Sequence, residues 1–252
     1  MNKLRSLSWR IFRTVAASYL LAVVGCAGFQ RSLLYFPSHH EPGASLVPWK
    51  ANGSVLGYVR EANAPAAIWL MLHGNAGQAS DRKYALPCFP AGDTVYIVEY
   101  PGYGLRPGTP SKPSMNAAAE EAYRELRKLY PGKPICVLGE SIGSGPAAHL
   151  CSLPQPPAKI VLVVPFDQLA KVASEKMPFL PVGLMLRDRW DNAESLRDYR
   201  GPIEIFGAEN DAVIPVSHAI ALAKSLPRAT FHLIRGGHNE WSQGDKVGLT
   251  DP

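Results

Sequence analysis

One pentapeptide, Gly139-Glu140-Ser141-Ile142-Gly143, limits what this chain can fold into more than any other stretch. It follows Pro134-Ile135-Cys136-Val137-Leu138, a short apolar run suited to a strand. It precedes Ser144-Gly145-Pro146-Ala147-Ala148-His149-Leu150, which is small and compatible with a helix. A G-x-S-x-G pattern between strand and helix predicts a nucleophile elbow. The serine at the apex of such a turn is held in a strained backbone conformation, and a side chain two residues to either side would strike the neighbouring elements. Its hydroxyl then stands above the sheet edge, where the N-terminus of the following helix favours developing negative charge.

The remaining chain supplies a frame for that turn. Ala67-Ile68-Trp69-Leu70-Met71-Leu72, Thr94-Val95-Tyr96-Ile97-Val98, Ile160-Val161-Leu162-Val163-Val164 and Ile203-Glu204-Ile205-Phe206-Gly207 are continuous or nearly continuous apolar runs, the pattern of strands covered on both faces. Ser54 to Arg60 reads as an early strand and Thr230 to Ile234 as the last. Helical spacing of Ala119, Tyr123, Leu126 and Tyr130 predicts a helix capped by Ser114 and stopped by Pro131-Gly132, and Ser217 to Leu226 reads as another. Alternating strands and helices predict a mostly parallel sheet with helices on both faces. The stretch 167–200 is long for a connection between strands and rich in Met, Phe, Leu and Pro, which predicts a small helical cap over the site.

In an open α/β sheet, ligands sit at the C-terminal edges of the strands. Asp211 follows the strand that begins at Ile203, and His238 follows the last strand. Serine, acid, histidine is the chain order of a hydrolase triad built on such a sheet. Ser141 is the expected nucleophile, His238 the base and Asp211 the group that orients the imidazole. Asp167, directly after another strand end, is the rival acid. The Ile142 N–H is one expected oxyanion donor, and Asn75, with Ala76 beside it, should supply the second. His73, His149, His218 and His232 read as structural histidines, and Glu140 as a group that either tunes the site or, the favoured reading, pairs with a nearby base.

The segments Leu72-His73-Gly74-Asn75-Ala76-Gly77, Tyr100-Pro101-Gly102-Tyr103-Gly104, Gly139 to Gly145, Asp211-Ala212-Val213-Ile214-Pro215 and Gly237-His238-Asn239 together resemble the membrane-anchored serine hydrolases of the α/β-hydrolase superfamily, the abhydrolase-domain group. The resemblance runs from about Leu33 to His238. It implies an α/β-hydrolase fold, an N-terminal anchor and an esterase-like activity, and it is silent on the natural substrate. Members of the group continue past the histidine into a long helix, whereas Asn239 to Pro252 carries Gly244 and Gly248 here. That departure leaves open what covers the last strand.

The N-terminus reads as a separate segment, residues 1–30, ahead of a hydrolase domain at 31–252. Lys3, Arg5, Arg10 and Arg13 precede the uncharged stretch Thr14 to Phe29. Three readings of it stand: a lipoprotein signal with Cys26 as the lipidated residue, an uncleaved anchor, or a cleaved leader. Each places the domain across the membrane from the basic end. Those four residues belong to a total of 26 basic ones, and no acid precedes Glu41, so the remaining 22 face 21 acids. A near-neutral body gives no nucleic-acid footprint. Cys26, Cys88, Cys136 and Cys151 lack the paired spacing of a metal site or a disulfide framework.

The chemistry expected is cleavage of a small-molecule carboxylic ester, thioester or amide through an acyl-enzyme, with an apolar acyl part and no metal or organic cofactor. An exported peptidase, and a tethered hydrolase fold acting only as a binding module, are the competing readings.

Overall fold

The computed structural model describes residues 2–42, 46–51, 53–244 and 247–250, with side chains from residue 7 onward. Eight strands form one sheet: β1 (Val47–Ala51), β2 (Ser54–Arg60), β3 (Ile68–Leu72), β4 (Thr94–Val98), β5 (Ile135–Glu140), β6 (Lys159–Val163), β7 (Ile203–Ala208) and β8 (Ala229–Ile234). Their order is β1-β2-β4-β3-β5-β6-β7-β8. β2 runs antiparallel to β1 and β4, and every pairing from β4 to β8 is parallel.

Alternation along the central strands divides the core in two, because successive side chains point to opposite faces. Leu70, Leu72, Val137 and Leu162 join the cluster on one face, and Trp69, Met71, Leu138 and Val163 the cluster on the other. The order β4-β3-β5 contains the switch point: the chain leaves β3 towards β4, then returns to β3's other side as β5. Loops after β3 and β5 therefore part and leave a crevice at their C-terminal ends. Register sets those ends level, with Leu72 opposite Gly139.

Helix α1 (Asn2–Leu34) runs unbroken through the whole apolar stretch and past the expected boundary at residue 30. Helix α2 (Lys112–Leu129) starts one turn earlier than its spacing suggests. Ser111, not Ser114, is its cap: the Ser111 hydroxyl accepts the Ser114 N–H, and Pro113 occupies the first turn, where its missing N–H costs nothing. Helix α3 (Ser144–Leu150) follows the elbow. Between β6 and β7 lie three short helices, α4 (Leu169–Lys176), α5 (Val182–Met185) and α6 (Asn192–Leu196). Helix α7 (Val216–Ser225) joins β7 to β8.

Among the described residues after His238 no helix forms, and three side chains of this segment pack on the sheet. Trp241, Val247 and Leu249 are all buried in the second core cluster, and the Leu249 N–H donates to the Cys88 carbonyl at 2.9 Å. Residues 245, 246, 251 and 252 of that segment lie outside the described residues.

Candidate active site

β5 ends at Glu140, and the chain turns at once through a single 3-10 turn, Ser141 to Gly143, into α3. Ser141 adopts φ +52°, a left-handed conformation that costs a non-glycine residue of order 1–3 kcal/mol. Packing enforces it. A Cβ on Gly143 would overlap the Leu72 carbonyl oxygen, and one on Gly139 would lie 2.6 Å from the Ala147 Cβ. Only glycine at both positions lets the turn close against β3 and α3.

His238 and Asp211 come to this serine from the loops after β8 and β7. The Ser141 hydroxyl oxygen lies 2.9 Å from His238 Nε2, and His238 Nδ1 lies 2.6 Å from Asp211 Oδ2. The other Asp211 oxygen accepts the N–H groups of Val213 at 2.8 Å and Ile214 at 2.7 Å. A buried carboxylate braced by two main-chain donors holds the imidazole in one orientation. Asp167 takes no part in this set. It accepts from His218 at 2.8 Å and from Lys171 at 2.5 Å. Burial would raise its carboxyl, but the Lys171 and His218 hydrogen bonds outweigh that and hold it below the usual aspartate range.

The loop after β3 forms the facing wall. Gly74, Asn75, Ala76, Ser141, Ile142 and His238 all line one cavity of about 580 Å³. The Asn75 carboxamide is taken up by bonds to the chain at the end of α1 and to Tyr103. Its oxygen accepts from the Phe36 N–H at 3.2 Å and the Tyr103 hydroxyl at 3.0 Å, and its nitrogen donates to the Leu34 carbonyl. The Asn75 main-chain N–H has no partner among the described residues. His73 is buried behind this loop, with Nδ1 2.7 Å from the Gly74 carbonyl and its ring against Tyr100 and Tyr103. His149 lies 2.7 Å from Glu120, and the His232 ring stacks on Phe206.

Two groups of residues at the site escape sequence reasoning. Glu140 meets Tyr84 and Trp241 rather than a direct basic partner: its carboxylate accepts from Gly74 N–H, the Tyr84 hydroxyl and the Trp241 indole. Burial would raise the Glu140 carboxyl, yet the nearby Arg82 charge and these three donors hold it below the usual glutamate range. Arg82 also donates to the Gly74 and Ala76 carbonyls. Neither Arg82 nor Tyr84 carries a local signal, since they sit in irregular 3-10 turns, Ala79–Cys88. The second group is Leu33, Leu34 and Phe36, which bring the end of α1 and its exit into the cavity wall.

Residues 70–189 match the family model described as alpha/beta hydrolase fold. An uncharacterized protein of Mycobacterium tuberculosis is 31% identical over 230 residues, covering 84% of this chain and 81% of the relative. A lysophosphatidylserine lipase of Danio rerio is 29% identical over 192 residues, 63% of this chain and 50% of that protein. Among solved structures, the Pyrococcus furiosus esterase Pf2001 superposes with a TM-score of 0.65 at 15% identity, over 82% of this chain and 92% of that one. A lipase-esterase related protein from Clostridium acetobutylicum gives 0.61 at 12% identity, over 75% and 95%.

Proposed function

Because the chain belongs to the alpha/beta hydrolase family, we propose that it is a serine hydrolase that cleaves carboxylic esters or thioesters by a covalent acyl-enzyme. A single observation carries this: one imidazole lies within hydrogen-bond reach of both a strained, elbow-borne serine and a buried aspartate. Ser141 Oγ attacks the substrate carbonyl while its proton passes to His238 Nε2. Asp211 stabilises the imidazolium that results. Negative charge on the tetrahedral oxygen is met by the N–H groups of Ile142 and Asn75. Collapse expels the alcohol or thiol, which takes the proton from His238 and leaves an acyl-Ser141. Water, deprotonated by the same imidazole, releases the acid and restores the hydroxyl.

The cavity favours an apolar acyl group. Leu33, Phe166, Leu169, Val172, Met177 and Ile214 form much of its wall. A relative named for lipase action on a lysophospholipid fits the same class. Helix α1 is long and apolar enough to cross a membrane from Leu7 to Leu34, by length and composition. We read it as an anchor, with the basic end inside and the hydrolase domain on the exported side.

Turnover of a short nitrophenyl ester by the purified protein tests the activity. Hydrolysis lost in both Ser141→Ala and His238→Ala is the expected result, and undiminished hydrolysis in either variant would overturn the assignment.

A further inference from the structure

We propose that the cap segment from Met177 to Leu186 inserts into the bilayer beside α1, so that the catalytic cavity takes its acyl ester laterally from the membrane. The second half of this rests on the hydrolase reading; the insertion does not.

Three observations point to a lipid surface. First, Met177 to Leu186 contains no charged residue and is bounded by Lys176 and Arg187, cations able to stay in the headgroup layer while the segment between them goes deeper. Phe179 and Leu184 within it are 87% and 86% exposed, the highest values among the exposed large apolar side chains described.

Second, the cap lies along the membrane-length helix. The Tyr19 hydroxyl donates to the Phe179 carbonyl at 2.9 Å, and Arg31 pairs with Asp188 at 3.2 Å. Tyr19 and Arg31 are separated by about 18 Å of helix axis at the usual rise per residue. The run from Thr14 to Gln30 is uncharged, so the stretch of α1 that the cap touches, up to Arg31 at its edge, falls largely within the stretch that a bilayer would surround.

Third, two polar side chains of that run, Tyr19 and Gln30, serve the main chain of the cap and of Arg187 just beyond it. Gln30 donates to the Met185 carbonyl at 3.1 Å and accepts the Arg187 N–H at 2.7 Å, as Tyr19 serves the Phe179 carbonyl. Irregular backbone survives at membrane depth only where protein satisfies it. These contacts meet part of that need, at the Phe179 and Met185 carbonyls.

The consequence for the site is direct. Leu33 of α1 and Met177 of the cap line the catalytic cavity, and both are partly exposed, at 49% and 42%. The junction of helix and cap therefore forms one side of the cavity that holds Ser141, and it is the route the proposal assigns to the substrate. A smaller cavity of about 80 Å³ shares Leu33, Leu34, Ala173 and Met177 with the first and continues along α1 to Cys26.

Nitroxide labels on full-length protein in phosphatidylcholine–phosphatidylglycerol vesicles decide the insertion. Phe179→Cys and Leu184→Cys are made in a Cys26→Ser background, the other three cysteines being buried. Leu129→Cys, at the far end of α2, serves as the exposed control. Labels at 179 and 184 should collide more with oxygen than with an aqueous nickel chelate, and the label at 129 should do the reverse. Aqueous behaviour at 179 and 184 would overturn the insertion, and would leave a water-soluble partner as the better occupant of this face. Phe179→Glu with Leu184→Glu then tests delivery. Hydrolysis of a long-chain ester dissolved in the vesicles should fall at least tenfold, while a water-soluble butyrate ester changes less than twofold. Equal loss on both esters, or on neither, would overturn lateral delivery. Absence of turnover by the unaltered protein would overturn the hydrolase reading and the delivery route together, with the label result still deciding insertion.

Discussion

The carboxylate of Glu140 accepts the Gly74 N–H at 2.9 Å. One partner immediately precedes Ser141, the proposed nucleophile, and the other immediately precedes Asn75. The bond therefore ties the elbow to the loop that faces it, across the crevice between β5 and β3. Arg82 holds the same loop from behind through its carbonyls, and Tyr84 and Trp241 complete the coordination of the carboxylate. Groups that must meet a developing oxyanion work only if they are fixed before the reaction, and a buried charged network is a stiff way to fix them.

Glu140→Gln removes the charge and turns one acceptor into a donor. Turnover of a short ester should fall about tenfold to a hundredfold, mainly in kcat, as the loss of a charge-assisted bond of ~1.5–3 kcal/mol implies. Stability carries a second signature. A carboxyl whose folded pKa is depressed stabilises the fold above its unfolded value, about 4.3, and loses that contribution as pH falls through the folded value. The gap in unfolding free energy between the two proteins should be widest near neutrality and narrow below pH 4. A gap that is constant with pH would show that the charge is not what matters.

Two aspartates follow strand ends near the site, and only one touches the imidazole. Asp211→Asn should lower turnover by ~3 to 4 orders of magnitude, the scale of losing the group that orients a triad histidine. Asp167→Asn should cost tenfold or less, because its partners are His218 and Lys171. Measured on one short ester, a larger loss at Asp167 would reverse the assignment.

Trp241 is fully buried and ties the segment after His238 to the core. Trp241→Ala should destabilise the protein by ~3–5 kcal/mol, the range for deleting a large core aromatic, and urea unfolding measures it directly. A loss under about 1 kcal/mol would mean that the segment adds little cover to the sheet.

Much of the frame is legible in the chain because its signals are local. Apolar runs at β3, β4 and β6 announce strands covered on both faces, and Gly139 and Gly143 announce a turn with no room for a Cβ. Local reading slips by one turn at α2, where Ser111 and Ser114 are both good caps and the position of Pro113 favours the earlier one. Arg82 is invisible for a different reason. Its role depends on Glu140 and Ala76 being folded around it, and no spacing encodes that meeting. The end of α1 is the largest surprise. The sequence ends the apolar segment at residue 30 and assigns Leu33 and Leu34 to the domain, yet one helix carries both, with Leu33 and Leu34 in the cavity wall and the Asn75 side chain bonded to the backbone of Leu34 and Phe36. Tertiary docking, not periodicity, makes the end of α1 part of the cavity wall.

Covalent capture by a fluorophosphonate reads the central relationship, Ser141 activated by His238, without presupposing a substrate. Peptide mapping of the labelled full-length protein should place one adduct on Ser141, with no adduct in Ser141→Ala and strongly slowed labelling in His238→Ala. Labelling of Ser141→Ala at the unaltered rate, or a stable adduct on any other serine, would contradict the account.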